Sequence, residues 1–325
     1  MKLKLRFSFA LLLVVVFILS GCATTTSQGP KETQAIQKDV PAYPPFTGPK
    51  KRIAVIKFEN KVKNPSVDKS WEIGEGLAEM LTTELFKTNR FILVERAAFA
   101  DIVKEQELGQ TGLVQQATAS KTGQALGAQI LVMGAITEFK YDAEGGSGGI
   151  KFSGVSLGLS SKNAHVAIDL RMIDANTGQV IEAHRAEGKA SSSGLAIGTE
   201  IKGVSFGGDT FKSTPLGQAT RQVIGKAIDF IIKKSEPLPW SGAVVKVEAG
   251  KVFINAGANC NVKNGDVMTV FSKGESLVDP TTGITLGATL KRTGEIEVES
   301  VEDQFSSGKI ISGTGLKRGD VLKYR

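Results

Sequence analysis

Ser161-Lys162-Asn163-Ala164-His165-Val166-Ala167-Ile168-Asp169-Leu170-Arg171 sets Lys162, Ala164, Val166, Ile168 and Leu170 at every second position, against Ser161, Asn163, His165, Ala167, Asp169 and Arg171. A two-residue repeat sends alternate side chains to opposite sides of an extended chain, so the segment reads as a strand with one apolar and one polar face. Asp174-Ala175-Asn176-Thr177-Gly178 is a turn. The return strand continues into Ala186, Gly188, Ala190, Ser192, Gly194 and Ala196, small residues opposed by Arg185, Glu187, Lys189, Ser191 and Ser193. On the other side, residues 145–168 contain no acid, and glycines and serines interleave with Val155, Leu157 and Leu159. A last glycine-rich segment, Glu200–Thr210, carries Ile201, Val204 and Phe206. Few acids, many small residues, a two-residue period and no long apolar run are what a barrel-forming hairpin needs. Two such hairpins are expected, about 137–173 and 179–212, carrying Val155, Leu157, Leu159, Ala164, Val166, Ala186, Gly188, Ala190, Val204 and Phe206, with the small-residue face of Ala190 toward lipid.

Further upstream, Ile53, Val55, Ile56 and Phe58 make a short buried strand, and Ile73, Leu77, Met80, Leu81 and Leu85 follow at helical spacing. Phe91–Glu95 reads as a second strand and Phe99, Ile102 and Val103 as a short helix. A third helix is expected to stop at Gly127, before Ile130–Phe139 returns as a strand. This order predicts an α/β layer with helices on one face of a sheet. Downstream, Leu216, Thr220, Val223, Ile224, Ala227, Ile228, Ile231 and Ile232 form one apolar helical face. Lys233 and Lys234 end it, where cations suit the carbonyl end of a helix. Glu236-Pro237-Leu238-Pro239 is a linker, and residues 240–325 alternate strands with Asn-Gly, Pro-Thr-Thr-Gly and Arg-Gly turns. There Val262-Lys263-Asn264-Gly265-Asp266-Val267 is echoed by Leu316-Lys317-Arg318-Gly319-Asp320-Val321, as expected when one turn type enters two strands of a small barrel. The fold class is α+β: a sheet-and-helix domain over 51–235 carrying two membrane-spanning β-hairpins, then a small all-β barrel domain over 240–325.

The chain starts with Lys2, Lys4 and Arg6 before the apolar run Phe7–Leu19, the charge and length pattern of a signal peptide over residues 1–21. Leu19-Ser20-Gly21-Cys22 resembles a bacterial lipobox, which makes Cys22 the acylated N-terminus of the mature chain. Several acyl chains, at ~0.8 kcal/mol per buried CH₂, hold a protein durably on a membrane. Ala23 after the cysteine resembles the outer-membrane sorting pattern, so the expected location is the periplasmic face of the outer membrane. Residues 22–50 hold Pro30, Pro41, Pro44, Pro45 and Pro49 with Thr24–Thr26, a tether composition. Folding is expected to begin near Lys51.

The same composition argues against catalysis. Among 325 residues there are two histidines and two cysteines, too few for Cys₂His₂ or Cys₄ metal sites or thiol redox pairs. Cys260, the remaining thiol, is expected to be buried. Loss of Lys2, Lys4 and Arg6 from 40 basic side chains leaves 37 against 33 acids, +4, without the basic stripe of a nucleic-acid binder. Gly145-Gly146-Ser147-Gly148-Gly149 matches a nucleophile elbow in letters but lacks the strand before and helix after that the motif requires. Gly225-Lys226-Ala227 lacks the hydroxyl residue of a phosphate loop. No enzyme activity, cofactor, metal or nucleic-acid partner is expected.

Lys51-Arg52-Ile53-Ala54-Val55, Phe91-Ile92-Leu93-Val94-Glu95-Arg96, Ile130-Leu131-Val132-Met133-Gly134 and Val166-Ala167-Ile168-Asp169-Leu170-Arg171 with Asn176-Thr177-Gly178, in this order behind a lipobox and a Pro-rich tether, resemble the curli production assembly/transport component (CsgG) family over roughly residues 22–234. The resemblance implies a homo-oligomeric ring in which each subunit gives two β-hairpins to one shared outer-membrane barrel, through which unfolded or extracellular-matrix polypeptides leave. With four strands per chain, a barrel of ~36 strands would take about nine chains. Curli-type members narrow the channel with a loop between the first strand and first helix that bears two aromatics around an asparagine. The corresponding loop here offers Asn64, Pro65, Ser66, Val67, Asp68 and Lys69, with neither aromatic in place. These six are the candidate pore loop. Residues 240–325 are similar instead to small β domains of flagellar outer-ring assembly proteins.

Two functions follow. One is an oligomeric secretion channel anchored through Cys22, with outer-membrane lipid, a secreted polypeptide and periplasmic accessory proteins as partners. The other is a periplasmic accessory lipoprotein that binds a cell-wall synthase or a flagellar ring without forming a pore.

Overall fold

The computed structural model describes residues 43–56, 58–62, 72–123, 125–145, 150–152, 155–157, 159–195, 209–281, 283 and 285–324. In chain order these form β1 (Lys51–Val55), β2 (Glu59–Asn60), α1 (Ile73–Lys87), β3 (Phe91–Leu93), α2 (Phe99–Leu108) and β4 (Ile130–Gly145). There follow β5 (Ile150–Phe152), β6 (Val155–Leu157), β7 (Leu159–Asp174), β8 (Val180–Leu195), α3 (Asp209–Lys212) and α4 (Pro215–Ser235). The C-terminal part adds β9 (Gly242–Glu248), β10 (Lys251–Ile254), β11 (Val267–Val278), β12 (Thr285–Val301), β13 (Ser306–Gly313) and β14 (Val321–Tyr324).

The first sheet runs β3-β1-β4-β7-β8, with β2 beside β4. β1 is parallel to both β3 and β4, and the helical crossovers α1 and α2 supply the length such parallel pairs require. From β4 onward the pairing is antiparallel. One apolar core lies under the sheet: Ile53, Val132, Ile136, Phe139, Val166, Ile168, Leu170 and Met172 from the strands meet Leu77, Leu81 and Leu85 of α1 and Leu216, Val223, Ile224, Ala227, Ile228 and Ile231 of α4. The eight α4 positions picked out by helical periodicity are all buried. Thr214 caps that helix, its hydroxyl accepting from the Gly217 amide at 3.0 Å, and Pro215 occupies the first turn, where its missing N–H costs nothing.

Two expectations are corrected. No helix ends at Gly127: among the described residues, 109–129 run as turns and open chain. Leu113 and Leu126 are exposed, Gly112 and Gly123 take left-handed φ values of +76° and +77°, and the Thr111 and Thr118 hydroxyls donate to the carbonyls of Leu108 and Gln115. Threonine hydroxyls that bond locally compete with a helix, and here no apolar face offsets them. The packed chain also starts before Lys51. Residues 43–50 form a strap: the Tyr43 hydroxyl donates to Asp229 of α4 at 2.6 Å and Arg90 donates to the Pro44 carbonyl at 3.2 Å. Asn261 donates to the carbonyls of Phe46 and Gly48, and the Lys50 amide donates to the Cys260 carbonyl. Four prolines fewer than ten residues apart read as a tether in composition, yet extended proline-rich chain can also lie on a surface whose donors reach its carbonyls.

The C-terminal strands close into a barrel in the order β10-β13-β12-β11-β14-β9. Its interior holds Val244, Val252, Ile254, Met268, Val270, Ile296, Val298 and Leu322, with Trp240 and Cys260 at the margin. The repeated hexapeptides make the same turn twice. Asp266 accepts from the Lys263 amide at 2.7 Å and Asp320 from the Lys317 amide at 2.9 Å, while Gly265 and Gly319 stand at φ +87° and +89°. The carboxylate fixes the loop and glycine supplies the left-handed step, so the Gly-Asp pair is needed at both.

Candidate functional site

Strands β4, β7 and β8 have 16 residues each and stay paired from end to end, Ile130↔Asp174 to Gly145↔Ser160 and Ile173↔Val180 to Leu159↔Leu195. Each is about 53 Å long. Helix α4, with 21 residues, is about 32 Å long. Its last turn sits at Glu182, which accepts from Lys234 at 2.6 Å, and its first turns lie at Gly188 and Lys189, whose amide donates to Gln222 at 3.1 Å. Past that level the three strands continue beyond the helix.

The two sides of this three-stranded sheet differ. Toward α4 it presents Ala164, Val166, Ile168 and Ala186, all buried, and Gly188, where an added Cβ would lie 2.0 Å from the Ala219 carbonyl oxygen. The irregularity in β4 between Ile136 and Glu138 keeps Phe139 on this side and turns Glu138 and Lys140 to the other. There the Arg185 guanidinium joins all three strands: it donates to Glu138 at 2.5 Å, to Glu187 at 2.7 Å, to the Thr137 hydroxyl at 2.9 Å and to Asp169 at 3.4 Å. His165 Nδ1 lies 3.0 Å from Glu138 and its Nε2 3.6 Å from Glu187. One step further out, the register aligns Lys140, His165 and Lys189 in a single row across the strands. Being open to solvent and screened by it, these pairs add little to stability. Their consequence is a fixed pattern of charge rather than stability.

Of the residues singled out in the sequence, Cys22, Asn64, Pro65, Ser66, Val67, Asp68, Lys69, Val204 and Phe206 lie outside the described residues, as do residues 196–208 of the second hairpin, whose expected last residues, Asp209–Lys212, are the helix α3 instead of strand. Val155 and Leu157 fall on β6, paired with Phe152 and Ile150, and Leu159 opposes Leu195. Ala164, Val166, Ala186 and Gly188 are packed in the core against α4, with Ala190 half-buried beside it, so at this level the small-residue face expected to meet lipid meets the helix. The small side chains there admit a helix backbone. The Glu138, Lys140 and Arg185 network went unseen, since its only sequence signal was polar alternation around His165, and partners on three strands become neighbours only through register.

Elsewhere, burial raises the thiol pKa of Cys260, which is a core residue. Tyr43 and Tyr324 have hydroxyls pushed well above the usual tyrosine range by burial and by donating to Asp229 and Asp266. Burial also lowers the pKa of the Lys51 ammonium, which donates to the Ser235 carbonyl at 2.8 Å. Among the described residues no group of three or more His, Cys, Asp or Glu side chains could hold a metal ion, and no helix is long and apolar enough to cross a membrane.

Residues 33–265 match the family described as curli production assembly/transport component CsgG. The chain belongs to the CsgG family. It is 24% identical over 186 residues to the curli production assembly/transport component CsgG of Salmonella typhimurium, covering 53% of this chain and 67% of that one. The Escherichia coli K12 protein of the same name is 24% identical over 188 residues, covering 53% and 66%. Among solved structures, the hypothetical protein CT253 of Chlamydia trachomatis aligns over 57% of this chain and 96% of its own at 16% identity and a TM-score of 0.35. The family match ends inside the C-terminal barrel, so most of residues 240–325 is an addition to the CsgG region.

Proposed function

We propose that this CsgG-family chain is an outer-membrane lipoprotein, anchored through Cys22, that assembles into a homo-oligomeric ring and forms a β-barrel channel for secreted polypeptides. The observation that supports this reading best is the overrun of β4, β7 and β8 past α4. A soluble layer gains nothing from strands longer than the helix that covers them, and among the described residues β8 is the last strand in the sheet order, so its outer edge is the one a neighbour would pair with in this reading. In lipid such an edge leaves backbone groups unsatisfied, so a lone subunit cannot insert and a closed ring can. The uncovered ends, with the β5–β6 hairpin, are the membrane segments in this reading, and the α/β layer and C-terminal barrel stay in the periplasm. The barrel of residues 240–325 is then the module available to periplasmic accessory proteins.

The experiment is direct. The purified lipoprotein should run as an SDS-resistant ring and conduct in a planar bilayer. A monomer without conductance would transfer the assignment to an accessory lipoprotein that binds a cell-envelope assembly.

A further inference from the structure

Arg90, between α1 and β3, carries its guanidinium into apolar surroundings. Its side chain is 9% exposed and lies over the rings of Phe46 and Tyr43, 5.3 and 5.9 Å from their centroids. One Nη donates to the Pro44 carbonyl at 3.2 Å, and the other lies 3.5 Å from Glu236, whose own side chain is 60% exposed. Nε is buried and has no hydrogen-bond partner among the described residues. A buried N–H of a charged group is costly to leave unpaired, so this edge of the guanidinium calls for an acceptor.

Arg90 also lines a cavity of about 270 Å³ where the strap, the start of β3, the end of α4 and the C-terminal barrel come together. The apolar lining is Phe46, Phe91, Ile232, Leu238, Trp240 and Tyr324, the last two rings standing edge to face at 6.1 Å. The charged groups on its wall are Lys51, Arg90 and Glu236. Asp229 and Asp266 accept from the Tyr43 and Tyr324 hydroxyls and do not line it. Two cations against one solvent-exposed, loosely held carboxylate leave the cavity with an excess of positive charge. Its volume lies just below the ~300–1,000 Å³ of pockets for drug-sized ligands, which suits a group of about one residue's size.

We propose that this cavity binds a carboxylate borne on a small apolar body, with the carboxylate on Arg90 and the body among the aromatic and aliphatic walls. A guanidinium edge takes both oxygens of a carboxylate in two parallel hydrogen bonds, a match that an ammonium cannot give. Glu236 competes for the same guanidinium from the solvent side and is displaced by the ligand. The chemistry is shared by a free aryl or alkyl acid and by the C-terminal residue of a peptide. The inference goes beyond the channel reading and does not rest on it, since a chain that never conducts would still bind.

The test is titration calorimetry on the full-length lipoprotein in a non-ionic detergent, with 3-phenylpropionate and the peptide N-acetyl-Gly-Gly-Phe as acids and their neutral amides for comparison. At least one acid should bind saturably, and its amide at least about tenfold more weakly. Arg90→Lys keeps the charge and loses the planar fork, so it should weaken the acid by about tenfold, with circular dichroism checking the fold. Because Arg90 also holds the strap, Glu236→Gln supplies an independent arm: removing the competing carboxylate should tighten binding about two- to fivefold, a gain that a purely structural Arg90 would not produce. Lys104→Gln, on the exposed side of α2, should change nothing. Saturation by 3-phenylpropionate alone assigns the site to a free acid, and tighter binding of the peptide acid assigns it to a chain terminus. Acid and amide binding alike, no saturable binding of either acid, or a Glu236→Gln variant that binds no better than wild type overturns the inference.

Discussion

Gly188→Ala tests how β8 is held to α4. The missing side chain leaves the Ala219 carbonyl oxygen 2.0 Å, and the Val223 Cγ2 3.1 Å, from the place a Cβ would take. The nearest tolerable separation from a carbonyl oxygen is about 3 Å, so strand and helix must part by on the order of 1 Å, and overpacking of that kind costs typically 1–3 kcal/mol. The clash is with backbone, which cannot rotate away, so the upper half of the range is expected. For a chain of this size each kcal/mol moves the melting midpoint by about 2–4 °C, giving a fall of roughly 5–10 °C. The measurement is a far-ultraviolet circular dichroism melt of the detergent-solubilised chain. Gly178→Ala serves as the comparison: Gly178 stands at φ +72° with nothing within 4 Å of its virtual Cβ, so it reports left-handed strain alone, about 1 kcal/mol. Ala219→Gly should not rescue Gly188→Ala, because the obstructing atom is the main-chain oxygen. A Gly188→Ala midpoint within about 1 °C of wild type, or rescue by Ala219→Gly, would refute the close helix–strand contact.

The strap and the barrel give further expectations. Tyr43 and Tyr324 have hydroxyl pKa values raised above the ordinary 10.0, so their stabilising hydrogen bonds are fully present below pH 10 and are lost as pH climbs toward the folded values; melting midpoints should fall above pH 10, and less steeply in Tyr43→Phe or Tyr324→Phe. Asn261→Ala removes both side-chain bonds to the strap and leaves a left-handed residue without asparagine's tolerance of φ +63°, a loss of about 2 kcal/mol seen as faster proteolytic cleavage within residues 43–50. Cys22→Ser should abolish incorporation of labelled palmitate and outer-membrane retention; a Ser variant that still takes up label and floats with outer membranes would defeat the lipoprotein assignment.

What the amino-acid order settled by itself is local. Helical periodicity placed α1 and α4 and picked the buried side of each, because a 3.6-residue repeat needs no knowledge of the partner surface. The echoed Lys-x-Gly-Asp pairs announced one turn used twice, since aspartate and a left-handed glycine act within four residues of each other. Alternation from 161 to 171 located a strand with two unlike faces, but alternation is silent on what each face meets. Ala186, Gly188 and Ala190 look alike whether they suit lipid or a close helix, and only the packing of α4 showed that the helix takes them. The row of Lys140, His165 and Lys189 was likewise out of reach, because its members are 49 residues apart in sequence and are brought level by two antiparallel registers and one irregularity in β4. The strap of residues 43–50 depended on donors from Arg90 and Asn261, far along the chain, and no composition rule anticipates bonds that exist only once both domains are in place.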